Sequence, residues 1–111
     1  MTDGVEPEFE CAAEAPTQSD ANAIVRELQI VNQKGLHARA SAKFVQTVER
    51  YDAVVKVTRC GETVGGNSIM GLMMLAAGPG TSIVVEASGN HATEVVDALQ
   101  ELINARFGED A

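Results

Sequence analysis

The chain has 111 residues, a formal net charge of -8 and 45% hydrophobic residues, which fits one globular domain with an ordinary core. It contains no Trp and no apolar run of about 18 residues, the length that a membrane-spanning helix needs. The N-terminus lacks a basic segment followed by an apolar one, so we expect a cytoplasmic protein with no membrane insertion.

The negative charge is concentrated at the two ends of the chain. Residues 1–22 carry six acidic and no basic side chains, and residues 109–111 form a short acidic end with two more acids. The low hydrophobicity of residues 1–22 predicts a disordered acidic tail. Residues 23–108, in which eight acidic and eight basic side chains balance, are predicted to form the folded domain. Because no basic stripe runs along this domain, nucleic-acid binding is not expected.

The first elements of the domain are a strand and a helix. Residues 24–32 alternate apolar and polar side chains, with Leu28 and Ile30 on one face, which predicts a strand. Lys34-Gly35 ends it, and residues 38–50 have apolar side chains at helical spacing. The stripe of this predicted helix comprises Leu36, Ala40, Ser41, Phe44, Val45 and Val48.

The middle of the chain predicts a hairpin and a short helix. Residues 54–59 form the second predicted strand, Cys60-Gly61 the turn, and residues 62–64 a short third strand. Ser68 is placed to cap the N-terminus of a helix over residues 69–76.

The last elements are a strand and a long helix. Residues 81–88 alternate as a fourth strand, and Asn90 is predicted to cap a helix over residues 91–107 that stops at Gly108. The stripe of this helix comprises Val95, Val96, Leu99, Leu102, Ile103 and Phe107. The order β-α-β-β-α-β-α predicts an α+β fold, in which one sheet carries its helices on a single face.

His37 stands where the first strand has ended and the first helix begins. A helix entrance offers unpaired N–H groups and the positive end of the helix dipole, which stabilise an anion. A neutral imidazole is a good nucleophile near pH 7, so His37 is a candidate carrier of a phosphoryl group. The N–H groups of residues 38–40 and Arg39 would neutralise its charge, with weaker help from Lys34 and Lys43. From these residues alone, a capping or surface histidine is the more common alternative.

Metal, redox and cofactor chemistry have little support in the sequence. Cys11 and Cys60 match no metal or redox spacing, and we expect both to be reduced thiols. No second ligand lies near His37 in the sequence, so no metal and no cofactor are expected. His91 has no flanking Arg and is predicted to be a surface residue.

Two segments of the domain carry a family resemblance. The first is Gly35-Leu36-His37-Ala38-Arg39 followed by Ala42, Phe44 and Val45, and the second is Asn67-Ser68-Ile69-Met70-Gly71-Leu72. They resemble the active-site segment and the kinase-recognised serine motif of HPr, the histidine-containing phosphocarrier of the bacterial phosphoenolpyruvate-dependent phosphotransferase system. The resemblance covers residues 24–108 and implies an open-faced β-sandwich, with a four-stranded antiparallel sheet covered on one face by three helices.

The resemblance also implies roles for individual residues. His37 would be phosphorylated by Enzyme I, with phosphoenolpyruvate as the source, and would pass the group to an Enzyme IIA-type acceptor. Arg39 would help bind the phosphoryl group, and Ser68 would be a regulatory site for an HPr serine kinase/phosphorylase. Such a protein is a carrier and not an enzyme with its own turnover. For Ser68, a role as helix cap alone is the alternative.

Ala40 departs from the pattern of many HPr proteins, which have Pro directly after the arginine. This variant is similar to HPr-like proteins of nitrogen-related, mainly regulatory phosphotransferase systems, which favours a regulatory output over sugar transport. The alternative hypothesis is a regulatory binding module whose phosphorylation state selects its targets, with phosphate delivery secondary.

The helix after Ser68 is more apolar than a short one-sided helix needs. Leu72 and Leu75 are predicted to point inward, which leaves Ile69, Met70 and Met73 for an exposed patch that docks partners. Simple core packing of the Met residues is the alternative.

Overall fold

The computed structural model describes residues 23–109. The predicted tail, residues 1–22, and the last two residues lie outside this range. The regular elements are β1 (Ile24–Gln29), α1 (Ala38–Glu49), β2 (Val54–Arg59), β3 (Glu62–Gly65), α2 (Ile69–Met74), β4 (Ser82–Ser88), α3 (Ala92–Asn104) and a 3-10 turn (Arg106–Gly108). The predicted order of strands and helices is therefore confirmed.

The sheet has the strand order β1-β4-β2-β3, and each neighbouring pair is antiparallel. The register places Leu28 opposite Ile83 and Val57 opposite Val85. All four side chains are buried in the core, because alternate residues of a strand point to the same face. The predicted α+β fold with one antiparallel sheet is confirmed.

The helices cover one face of this sheet, each through an apolar stripe. Phe44 of α1 and Leu99 of α3 are fully buried, and α2 contributes Leu72. Each such side chain stabilises the fold by about 1.5–3 kcal/mol when it leaves water. The stripe predicted for α1 is buried throughout, and that of α3 is buried except for Leu102, which packs partly exposed against the core.

Both ends of α3 differ from the prediction. Its N-cap is His91 rather than Asn90, because the Asn90 side chain donates to Asp52 Oδ2 at 2.9 Å. The helix ends at Asn104, since the two residues after Ala105 have left-handed backbones, with φ values of 56° and 54°. That turn buries Phe107 completely and redirects the end of the chain. His91 is exposed, as predicted.

Two further expectations were wrong in part. The helix α2 ends at Met74, two residues early, because Ala76 adopts a left-handed backbone with φ of 53°. Cys60 is disulfide-bonded, so the expected reduced thiol is not present there; Cys11 lies outside the described residues. Within residues 23–109, no helix has the length and hydropathy needed to cross a bilayer.

Candidate functional site

The β1–α1 loop places His37 at the entrance of α1. Gly35 has φ of 64°, and a Cβ there would lie 2.3 Å from the Ala77 carbonyl oxygen, so only glycine fits. The next residue, Leu36, is buried and donates its N–H to the same oxygen at 2.9 Å. His37 is the N-cap with an extended backbone, and its carbonyl accepts from Ser41 N at 2.8 Å. The loop is thus anchored on both sides of the imidazole.

The ring of His37 contacts a carboxylate from the end of the chain. Glu109 Oε2 lies 2.5 Å from His37 Nε2, and Glu109 Oε1 accepts from Asn32 Nδ2 at 3.2 Å. The fully buried Asn32 also donates to the Gly35 carbonyl at 2.9 Å. One hydrogen-bonded chain therefore connects the β1–α1 loop, the segment after the 3-10 turn and the histidine.

This contact determines which ring nitrogen is available. The hydrogen bond to His37 is the main cause that lowers the pKa of Glu109 below its ordinary value; burial acts in the opposite direction. Glu109 is therefore ionised at neutral pH and can only accept a hydrogen bond, so Nε2 carries the proton. In the neutral ring, the lone pair then lies on Nδ1.

The imidazole borders a cavity of about 680 Å³ with a cationic lining. Its lining residues within the described chain are Gln33, Lys34, His37, Ala38, Arg39, Lys43, Gly108 and Glu109. Lys43 Nζ also donates to the Phe107 carbonyl at 2.6 Å, which ties the C-terminal turn to α1. Three cations beside a helix entrance favour a small anion. Residues 23–109 contain no group of three or more His, Cys, Asp or Glu side chains placed to hold a metal ion.

The second predicted segment lies at the entrance of α2. Ser68 is its N-cap, and Oγ accepts from Gly71 N at 3.0 Å, which confirms the predicted cap. Leu72 and Leu75 are buried, as predicted. The large apolar side chains of this region that remain exposed are Ile69, Met70, Met73 and Met74. Met74 was not part of the predicted patch.

Sequence reasoning missed Asn32 and Glu109. Glu109 was assigned to an acidic end, and Asn32 to the end of a strand. In the sequence, Glu109 lies 72 residues and Asn32 lies 5 residues from His37, and Asn32 and Glu109 are 77 residues apart. No local spacing signals such a contact, because it depends on where the last turn of the chain packs.

A helix-entrance histidine beside a cationic cleft, on a four-stranded antiparallel sheet covered by helices, fits the class of small phosphocarrier proteins. The chain belongs to the HPr family of the phosphotransferase system: the family described as PTS HPr component phosphorylation site matches residues 24–105. The resemblance noted in the sequence is thereby confirmed.

Curated relatives and solved structures agree with this assignment. The chain is 50% identical to the phosphocarrier protein HPr of Neisseria meningitidis serogroup A over 84 residues, which cover 76% of this chain and 94% of the relative. It is 51% identical to that of Pseudomonas aeruginosa, covering 75% and 93%. The crystal structure of HPr-C-His from Thermoanaerobacter tengcongensis superposes with a TM-score of 0.76 at 35% identity, covering 79% of this chain and 99% of that one. The predicted open-faced sandwich is therefore confirmed.

Proposed function

We propose that His37 takes a phosphoryl group from Enzyme I in the cytoplasm, with phosphoenolpyruvate as the source, and passes it to an Enzyme IIA-type acceptor. The observation that carries this proposal is the position of His37 at the α1 entrance, beside a cavity lined by Lys34, Arg39 and Lys43. Family membership supports the same cascade.

The geometry suits reversible transfer. The Nδ1 lone pair of His37 attacks phosphorus, and the N–P bond forms as the bond from phosphorus to the donor breaks. The phosphoryl oxygens then meet the first N–H groups of α1 and the Arg39 guanidinium, which neutralise their charge. Attack by the acceptor on phosphorus breaks the N–P bond and returns the electron pair to Nδ1.

Incubation with Enzyme I and labelled phosphoenolpyruvate tests this role. We expect acid-labile, alkali-stable label on the wild-type chain and none on His37→Ala. The matched control is His91→Ala, which removes the other histidine of the chain and should leave labelling unchanged. Absence of label on the wild type, or label on His37→Ala, would contradict the proposal.

We further propose a mainly regulatory output, with Ser68 as a modification site for an HPr serine kinase/phosphorylase. Ser68 adjoins the α2 patch, defined as Ile69, Met70 and Met73, whose side chains are exposed. A phosphoserine adds nearly two negative charges, and beside an apolar docking surface this charge opposes the approach of a partner. Met is adaptable, which suits a surface that docks several proteins in turn.

The test of this proposal compares Ser68→Asp with Ser68→Asn, because both residues are good N-caps and differ in charge. We expect Ser68→Asp to slow phosphoryl transfer from Enzyme I and Ser68→Asn to leave it near the wild-type rate. Equal rates for the two variants would remove the support for charge at this position as a regulator.

A second candidate function is a regulatory binding module whose phosphorylation state selects its targets, with phosphate delivery secondary. The exposed α2 patch favours it, as Met70 is 71% exposed. Pull-downs with wild type, His37→Ala and Ser68→Asp should then recover different partners. Identical partner sets from all three would contradict this function.

A further inference from the structure

We infer that Cys60 forms a disulfide with Cys11, and that residues 12–22, the tether segment, cross the open face of the sheet, which is the face away from the helices. Reduction of this disulfide releases the tether segment and uncovers the open face. Two independent observations support the inference, namely the bonded state of Cys60 and the burial of side chains that point away from the helices.

The partner of Cys60 follows from the composition of the chain. The sequence contains two cysteines, Cys11 and Cys60, and Cys60 is disulfide-bonded. Within one chain, its partner is therefore Cys11. Cys60 is exposed in the turn between β2 and β3, with a left-handed φ of 56°, so a disulfide there forms without disturbing the core.

The two attachment points of the tether segment define its route. β1 and β2 both pair antiparallel with β4 and run in the same direction, so the start of β1 and the end of β2 lie at opposite ends of the sheet. Strand spacings and residue rises place Ile24 and Cys60 about 20 Å apart, along a diagonal of the sheet. Residues 12–22 reach up to about 40 Å when extended. Because the helices occupy the other face, the direct route crosses the open face.

Burial on the open face follows this diagonal. Alternate residues of β4, among them Val85, point into the core, so Val84 and Glu86 point to the open face. Both are nevertheless buried, with 3% and 6% of their surface exposed, and so is Thr58, which pairs with Val84. Val84 does not belong to the core cluster on the helix side. We attribute this burial to the tether segment.

The corners of the open face that lie off the diagonal are exposed. Val54 and Lys56, near the start of β2, are exposed, and so are Glu27 and Gln29, near the end of β1. Lys56 and Thr58 are both flanked by β3 and β4, yet only Thr58 is buried. Cover from the tether segment accounts for this difference along one strand.

The composition of the tether segment suits a shallow site. Residues 12–22 include four Ala and no large apolar side chain, so their backbone can lie close to Val84. The Thr, Gln, Ser and Asn residues of the same segment carry hydrogen-bond donors. A buried carboxylate such as that of Glu86 requires donors, and the tether segment supplies them from above the sheet.

Formation of the disulfide requires an oxidant, which we assign to the class of small-molecule disulfides such as oxidised glutathione. One cysteine thiolate attacks the oxidant, forms a mixed disulfide and releases one thiol; the second thiolate then displaces the other thiol. Two electrons and two protons pass from the chain to the oxidant. In a reducing cytoplasm such a disulfide is reversible, so cover of the open face depends on the redox state.

The first test determines the partner of Cys60. The full chain is treated with oxidised glutathione, and its intact mass and cross-linked peptides are compared with those of Cys11→Ser. We expect a monomer that is lighter than the reduced chain by two hydrogens and yields a Cys11–Cys60 peptide pair. Two free thiols, or a covalent dimer joined through Cys60 of two copies, would overturn the inference. The melting temperature of the oxidised chain should exceed that of Cys11→Ser by about 10 °C, because the disulfide closes a long loop.

The second test determines the route of the tether segment. Carbodiimide labelling of carboxylates compares Glu86 with its matched control Glu27, which lies on the same face but off the diagonal. Reduction of wild type should raise labelling of Glu86 severalfold and leave Glu27 unchanged, and Cys11→Ser should match reduced wild type with or without reductant. If the disulfide forms but Glu86 is labelled equally in both redox states, the tether segment does not cross the open face and the inference is overturned.

Discussion

The entrances of α1 and α2 both have a polar N-cap residue with an extended backbone, but the two N-cap side chains bind different partners. At α2, the Ser68 side chain turns back and accepts from Gly71 N, so the cap satisfies its own helix. At α1, the His37 side chain makes no such hydrogen bond within the described chain and turns outward to Glu109. The first N–H groups of α1 therefore remain available to an anion. An N-cap side chain can bind the first N–H groups of its own helix, as that of Ser68 does, or leave them open, as that of His37 does.

The side chains around the α1 and α2 entrances also differ in charge and polarity. Lys34, Arg39 and Lys43 border the α1 entrance, whereas exposed Ile69, Met70 and Met73 border the α2 entrance. The first environment suits a phosphoryl group, and the second suits protein surfaces. A carrier needs both, because it must hold the group and dock its donor and acceptor.

The largest expected effect comes from Gly35→Ala, which disrupts the loop that leads into α1. The added Cβ would meet the Ala77 carbonyl at 2.3 Å in a left-handed backbone, so we expect a loss of about 3 kcal/mol in unfolding free energy and loss of labelling. Gly61→Ala is the matched control, since Gly61 is also left-handed but has open space around its Cβ position. It should cost about 1–2 kcal/mol and keep labelling. Urea unfolding measures both; equal losses would contradict the role of the loop contact.

Arg39→Ala tests how much the cationic side chains at the α1 entrance contribute to phosphorylation, a contribution that the α2 entrance lacks. Arg39 is exposed and lines the cavity beside His37, so its loss should slow phosphorylation about tenfold, equivalent to about 1.4 kcal/mol of transition-state stabilisation. Thermal stability should be nearly unchanged. Arg39→Lys should recover part of the rate, because the charge returns without the planar donor geometry. A wild-type rate for Arg39→Ala would show that the backbone N–H groups suffice.

Replacing the N-caps of α1 and α2, His37 and Ser68, with Ala should show that one affects mainly labelling and the other mainly stability. Ser68→Ala loses a cap hydrogen bond and should cost about 1 kcal/mol, with His37 still labelled. His37→Ala loses no cap bond to α1 and should cost less, while labelling is abolished. Thermal melts of the two variants at neutral pH test this ranking. A larger stability loss in His37→Ala would mean that the Glu109 contact holds the turn at the chain end.

The smallest expected effect is the pH dependence of the stability that the contact between Glu109 and His37 contributes. Its pKa is lowered in the folded state, chiefly by the hydrogen bond to His37. A lowered pKa means that the contact stabilises the fold above the ordinary pKa of glutamate, and that this contribution is lost as the pH falls through the lowered value. The melting-temperature difference between wild type and Glu109→Gln should thus be present at pH 6–7 and vanish in stronger acid. A melting-temperature difference that persists in stronger acid would contradict this dependence of stability on the ionisation of Glu109.

Much of the fold follows from local patterns. Alternation over residues 24–32 predicted that Leu28 and Ile30 are in the core, and helical spacing predicted the same for Phe44 and Leu99; all four are buried. These predictions succeed because the spacing of buried residues along a strand or helix is already present in a short segment of sequence. The ends of α3 were predicted less well. Its N-cap is chosen by Asn90 binding Asp52, and its early end is chosen by the burial of Phe107, which are both contacts with other parts of the fold.

The sequence by itself determined the order of the elements, the histidine at the α1 entrance and the serine cap of α2, since each depends on residues within a few positions of one another. Only the tertiary structure decided that Glu109 reaches His37 across 72 residues and that Asn32 holds it there. The physical reason is that the direction of the chain end is set by the left-handed turn and the packing of Phe107 beneath it. The chemistry of the histidine is therefore local in origin, and its orientation is a property of the whole fold.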